Sequence, residues 1–291
     1  MRQVTASRWA WGLCGILTAL VLAFPVARLI GSEGTPVDAV SVYPASIRTV
    51  TIEQPVTSVY VQTYGAPVRI TAAGVRHVQA VETISYDLKA GGPPAVTQSV
   101  SGGRLTLNAP SCAYSDCNVS YDVTVPPDVT ATVATEGGPI TASGIAGGDL
   151  DSNGGPVRAA RIGGPLTVIT GGGSMLVDGA AGTLDADTDG GPAVARDLTA
   201  AAVQITAGGG SARVVFAAAP ATVTVSTDGG PAMVTLPGGP YALMTESDGG
   251  PEAVGISTDP AASRKITVIT NGGSLRIAPL AARLPRPPAP R

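Results

Sequence analysis

The stretch with the most chemistry written into it is Asp185-Ala186-Asp187-Thr188-Asp189-Gly190, with carboxylates at alternate positions and a Gly at the sixth. That is the first half of a calcium-binding loop. The twelfth position of such a loop supplies a bidentate acid, and here it is Arg196. The flanks alternate with a period of two, so they read as strands where a calcium hand needs helices. What remains is an outward acidic patch of Asp149, Asp151, Asp185 and Asp187, which reads first as a solvated face and second as a weak cation-bridging one. Enzyme chemistry finds little to use. The single histidine, His77, offers no Ser-His-Asp arrangement, and the carboxylates fall at repeating positions with no insertion to build a substrate cleft. No catalytic, cofactor-binding or metal-ligating residue is assigned, no cofactor is expected, and the chain is expected not to be an enzyme. Cys112 and Cys117 flank a four-residue loop and are expected to form a structural disulfide of an extracytoplasmic domain. A zinc site needs further Cys or His ligands.

The acidic run coincides with one copy of a repeat. Gly-Gly pairs begin at Gly137, Gly154, Gly172, Gly190, Gly209, Gly229, Gly249 and Gly272, at spacings of 17, 18, 18, 19, 20, 20 and 23 residues. A near-constant short period marks a solenoid. Six and four residues before each pair stand apolar residues such as Val223/Val225 and Ile266/Val268, with a Thr, Ser or Ala two before it. Apolar or small residues return three and five after it, as in Met175/Val177 and Leu275/Ile277. Each coil therefore carries two short strands with one buried face and two tight turns. The hydroxyls two before each pair are expected to stack as an internal ladder from coil to coil. Asp228 and Asp248, at one turn position of successive repeats, are expected on neighbouring coils. The predicted fold is all-β: a β-solenoid of parallel coils of about 18–20 residues.

The remaining chain divides by composition. Residues 1–30 form a cytoplasmic stub and an N-terminal transmembrane helix: Ala10 to Ala27 holds 18 residues without a charge, after Arg2 and Arg8 and beside Trp9 and Trp11. A cleaved signal peptide shares the basic start and apolar core. Pro25-Val26-Ala27-Arg28 offers no good small-x-small cleavage site, so an uncleaved anchor is expected. The N-terminus then stays in the cytoplasm and the rest of the chain lies outside, as a single-pass protein of the cell membrane. Residues 31–44 read as a linker, 45–130 as an irregular β region capping the solenoid, 131–278 as the Gly-Gly-Pro solenoid, and 279–291 as a disordered Pro- and Arg-rich tail whose first residue, Pro279, ends the last coil.

Four residues past each Gly-Gly the chain places Arg158, Leu176, Val194, Arg213 and Met233 outward on the second strand. Together they make a small apolar stripe among arginines, suited to a protein partner; packing under a loop or the cap is the alternative. A net charge of −3 and 13% charged residues argue against nucleic acid as a partner. An aromatic content of 4%, with both tryptophans in the anchor, leaves few platforms for stacking sugars.

The anchor, the Val59 to Ile70 unit, the two-cysteine loop, the strand Val119 to Pro126 and the Gly-Gly coils together resemble the bacterial putative adhesin family, whose domain of unknown function is a β-solenoid of cell-envelope repeat proteins. The resemblance covers about residues 45 to 278 and carries no catalytic residue with it. It implies an extracytoplasmic repeat domain, often membrane-anchored. The anchor and the pocket-less repeat lead to the first functional reading, an adhesin-like binding or structural module of the cell envelope, with an envelope polymer as a candidate partner. A regulatory ectodomain that presents the stripe to a membrane protein is the second reading, and a polysaccharide-acting enzyme the third.

Overall fold

A computed structural model describes residues 45–86, 93–109 and 117–281. The expected membrane helix, the linker, Cys112 and the tail from residue 282 onward lie outside the described residues. Among the described residues no helix is long and apolar enough to cross a membrane.

The described residues form strands. The first seven are β1 (Ala45–Ile52), β2 (Ser58–Thr63), β3 (Val68–Ala72), β4 (Val78–Tyr86), β5 (Thr97–Ser101), β6 (Arg104–Asn108) and β7 (Cys117–Val125). Then come the repeats, two strands to a coil: β8 (Thr130–Thr135) with β9 (Ile140–Ser143), β10 (Gly147–Asp151) with β11 (Val157–Ile162), and β12 (Leu166–Thr170) with β13 (Met175–Ala180). They continue as β14 (Leu184–Thr188) with β15 (Ala193–Leu198), β16 (Ala202–Ala207) with β17 (Ala212–Phe216), and β18 (Thr222–Thr227) with β19 (Ala232–Leu236). The last two coils are β20 (Ala242–Glu246) with β21 (Glu252–Val254), and β22 (Lys265–Thr270) with β23 (Leu275–Pro279).

These strands make two sheets over one shared core. Sheet I runs β1-β4-β7-β3-β9-β11-β13-β15-β17-β19-β23-β21, and sheet II runs β20-β22-β18-β16-β14-β12-β10-β8-β2-β6-β5. Pairing is parallel throughout the repeats and antiparallel only where β1, β4 and β7 close sheet I and β5 folds back on β6. Strand alternation sends every second residue inward: Val203, Ile205 and Ala207 of β16 are buried, and so are Ala212, Val214 and Phe216 of β17. The chain is the β-solenoid-like fold that the repeat predicts, and antiparallel strands blunt one end of it.

Coil order differs from sequence order at both ends. The β2/β3 coil sits between β6/β7 and β8/β9, and the β22/β23 coil is inserted between β18/β19 and β20/β21. The inward residues give the reason at the second end. Ile266, Val268 and Thr270 of β22 are at most 1% exposed, whereas β20 points half-buried Leu243 and Thr245 inward, and Thr245 donates to Glu252 at the end of the stack. A polar inward residue costs least where one side is open to water. Pro279 therefore does not close the last coil in space; β23 is covered by β21.

Two sequence expectations are corrected by this geometry. The buried hydroxyls do not bond from coil to coil. Thr170 donates to the Gly173 carbonyl at 2.7 Å, Thr188 to Gly191 at 2.8 Å and Thr270 to Gly273 at 2.7 Å, each closing its own turn. Strands stand about 4.8 Å apart, beyond hydrogen-bond reach for hydroxyls stacked directly above one another. Thr188→Val is expected to lower unfolding free energy by about 1 kcal/mol in a denaturant titration, since it removes the donor and leaves the Gly191 carbonyl under-satisfied. Asp228 and Asp248 are not on neighbouring coils either. Asn271 lies between them, and its amide donates to Asp228 at 3.3 Å.

The glycine pairs divide the labour. At the second Gly of each pair, a Cβ would stand 1.9 to 2.4 Å from a carbonyl oxygen of the neighbouring coil. Only a hydrogen fits there.

Candidate interaction faces

Register turns single outward residues into files that run along the stack. On sheet II, Asp149, Thr167, Asp185 and Gln204 form one file, and Asp151, Ile169, Asp187 and Thr206 the next. All four acids of the predicted patch thus share one face, with Thr167 and Ile169 on the coil between them. Ile169 is 45% exposed, an apolar residue among carboxylates, and its place three residues before Gly172 repeats that of Asp151 before Gly154 and Asp187 before Gly190. Burial, and then the charges of Asp189 and Asp185, hold the Asp187 carboxyl above the usual range. Because its folded-state value is raised, Asp187 favours the fold below that value and loses this contribution as pH rises through it. Asp187→Asn is accordingly expected to raise Tm near neutral pH by about 1 °C, an effect kept small by solvent screening, and to leave it unchanged in acid.

Beside this patch, Glu136, Asp151, Asn153, Ile169 and Asp189 line a shallow depression of about 430 Å³. Among the described residues no three Asp, Glu, His or Cys side chains are grouped closely enough to hold a metal ion. Arg196, at the place of a calcium loop's last ligand, is on the other sheet and pairs with Asp178 at 2.7 Å. His77 lies in the bend before β4 and faces Glu53 at 3.6 Å.

Sheet I carries a different file: Asp122, Arg69, Thr141, Arg158, Leu176, Val194, Arg213, Met233, Arg276 and Ala253, one per coil. Arg69 is neutralised by Asp122 at 3.7 Å. Arg158, Arg213 and Arg276 make no ion pair among the described residues. Leu176 and Val194 are direct neighbours, half-buried by their flanking side chains. The predicted stripe of Arg158, Leu176, Val194, Arg213 and Met233 is therefore one unbroken file.

Polar groups in the core were less legible. Tyr121 donates to Glu82 at 3.2 Å inside the antiparallel end, where Glu82 is 7% exposed. Burial first, and the Glu82 carboxylate second, push the Tyr121 hydroxyl above its ordinary value. The signal was present: Val78, Ala80, Glu82 and Ile84 alternate on one face, which sends a carboxylate inward. Cys117 opens β7 and is disulfide-bonded, while Cys112 lies outside the described residues.

No curated protein sequence matches this chain. Among solved structures, a putative adhesin from Parabacteroides distasonis shares 14% identity over 81% of this chain and 98% of that one, with a TM-score of 0.50. A putative adhesin from Bacteroides fragilis shares 11% identity over 81% of this chain and 97% of that one, with a TM-score of 0.40. At these identities the first shows likeness of fold alone. Residues 88–240 match the family described as "Putative auto-transporter adhesin, head GIN domain". That span is more than half of the chain and takes in the repeat coils from β8 to β19, so this protein belongs to the auto-transporter adhesin head GIN domain family.

Proposed function

We propose that this chain is a membrane-anchored, extracytoplasmic module of the bacterial cell envelope that binds with its sheet faces, in adhesin-like or structural fashion and without catalysis. The observation that carries the reading is the set of outward files on the two sheets, each holding one residue per coil in register. Family membership supports it. Files at a pitch of about 4.8 Å suit an extended partner, since contact energy then accumulates coil by coil. The anchor at residues 10–27 and a Cys112–Cys117 disulfide belong to the same proposal, because disulfides persist in oxidising compartments. Peptide mapping without reductant, with a protease that cuts after Tyr114, should recover residues 112 and 117 in one linked fragment that reduction separates.

The test is crosslinking of the full-length protein in its membrane, followed by mass spectrometry of what is attached to the ectodomain. Envelope polymer joined to either face supports the adhesive or structural reading. Ectodomain residues that react only with reagents inside the cytoplasm would overturn it. A second reading, a regulatory ectodomain, is favoured by the adjacency of Leu176 and Val194 beside Arg158 and Arg213, which form no ion pair among the described residues. A reproducible membrane protein crosslinked to sheet I, and lost on Leu176→Asp, is its expected sign.

A further inference from the structure

We propose that the Arg213–Met233–Arg276 file on sheet I of one copy docks on the Asp151–Ile169–Asp187 file on sheet II of a second copy of this chain. Both triplets occupy three consecutive coils: Arg213 pairs with Met233 and Met233 with Arg276, while Asp151 pairs with Ile169 and Ile169 with Asp187. In each, two like charges stand two coils apart, about 9.6 Å, with an apolar residue on the coil between them. Charge meets charge at both ends and Met233 meets Ile169 in the middle.

The groups involved are available. Arg213, Arg276, Asp151 and Asp187 are exposed and form no ion pair among the described residues; Ile169 is 45% exposed and Met233 half-buried. Asp151 accepts the Asn153 N–H through Oδ1 at 3.1 Å, which leaves its second oxygen for a guanidinium. The acidic neighbours that crowd Asp187 lack a counter-charge within the described residues, and an arginine from outside relieves that repulsion.

The two files cannot meet within one molecule, because the sheets carrying them share a core and face away from each other. Contact between a sheet I face and a sheet II face is heterologous. It leaves one free file of each kind, so addition continues into a lateral row where a two-fold dimer would close. The triplets read the same in either direction, so charge fixes which coils meet and leaves the polarity of neighbouring rods to other contacts. The pairing does not depend on the compartment in which the protein works, so its failure is separable from failure of the binding-module reading.

The experiment is sedimentation velocity of the full-length chain in detergent micelles across a concentration series, at about 0.05 M and about 0.5 M salt, where screening shortens the reach of exposed charges severalfold. Wild-type protein is expected to gain mass with concentration at low salt and return to monomer at high salt. R213E/R276E presents acids on both faces and D151R/D187R presents bases on both. Each alone is expected to associate at least tenfold more weakly than wild type, and a one-to-one mixture of the two is expected to associate again. The membrane segment is identical in all of them, so association through it does not mimic the pattern. Wild-type protein that stays monomeric at low salt overturns the proposal. So does association that either charge reversal leaves unchanged, or a mixture that stays monomeric although both variants melt like wild type.

Discussion

Gly191→Ala will destabilise this protein by about 3 kcal/mol or more, whereas Gly190→Ala, one residue earlier in the same turn, will cost less than about 0.5 kcal/mol. A Cβ at position 191 would lie 1.9 Å from the Gly173 carbonyl oxygen of the coil below, and the atoms it meets are all backbone. Relief requires the two coils to part, which strains the β12–β14 and β13–β15 pairing on either side of the turn. At Gly190 nothing lies within 4 Å, and no left-handed backbone angle is required. Chemical denaturation of the two variants checks the contrast. Equal destabilisation would mean that turn conformation, and not the close approach of stacked backbones, is what demands glycine here.

Removing residues 265–291 is expected to unfold far more than the one coil deleted. β22 and β23 separate β18/β19 from β20/β21, and among the described residues each of β20 and β21 has no strand partner other than β22 or β23. The deletion strips two coils of their pairing and removes buried Ile266, Val268, Leu275 and Ile277. At about 1.5–3 kcal/mol per buried side chain, roughly 6–12 kcal/mol is lost, comparable with the whole stability of a typical domain. Protease cleavage starting within residues 221–264 and a collapsed thermal transition are the expected readouts. A finer comparison tests the coil order itself. Ile266→Ala is expected to cost about 3 kcal/mol, and Leu243→Ala, at the same position of the end coil, about 1 kcal/mol. A stack in sequence order would reverse that ranking.

Much of the architecture was legible in the sequence because a solenoid repeats its reasons. The inward alternation, the small residue two before each glycine pair, a hydroxyl in every coil but that of Ala207, and the outward residues four after it recur once per coil, so one well-formed copy explains the rest. The acidic patch and the arginine-apolar stripe followed from the same count. The hydroxyl ladder was misread because spacing along the chain tells which residues share a face, not whether the nearest acceptor lies in the coil above or in the turn just ahead. The inward carboxylate Glu82 was visible in its alternation, but its partner Tyr121 lies 39 residues away on another strand.

Local sequence alone determined the strands, the turns, which side chains face inward, and the glycine pairs, because period-two alternation and backbone sterics act within a few residues. Tertiary structure decided the order of coils at the two ends, and with it every file that crosses them. Met233 touches Arg276 and not Ala253, and Asp228 meets Asn271 and not Asp248. The physical reason is that each coil offers nearly the same edge to any other coil, so pairing geometry does not select the neighbour. Burial does: the coil with Ile266, Val268 and Thr270 inward goes inside, and the coil with half-buried Leu243 and Thr245 goes to the end, where water reaches it.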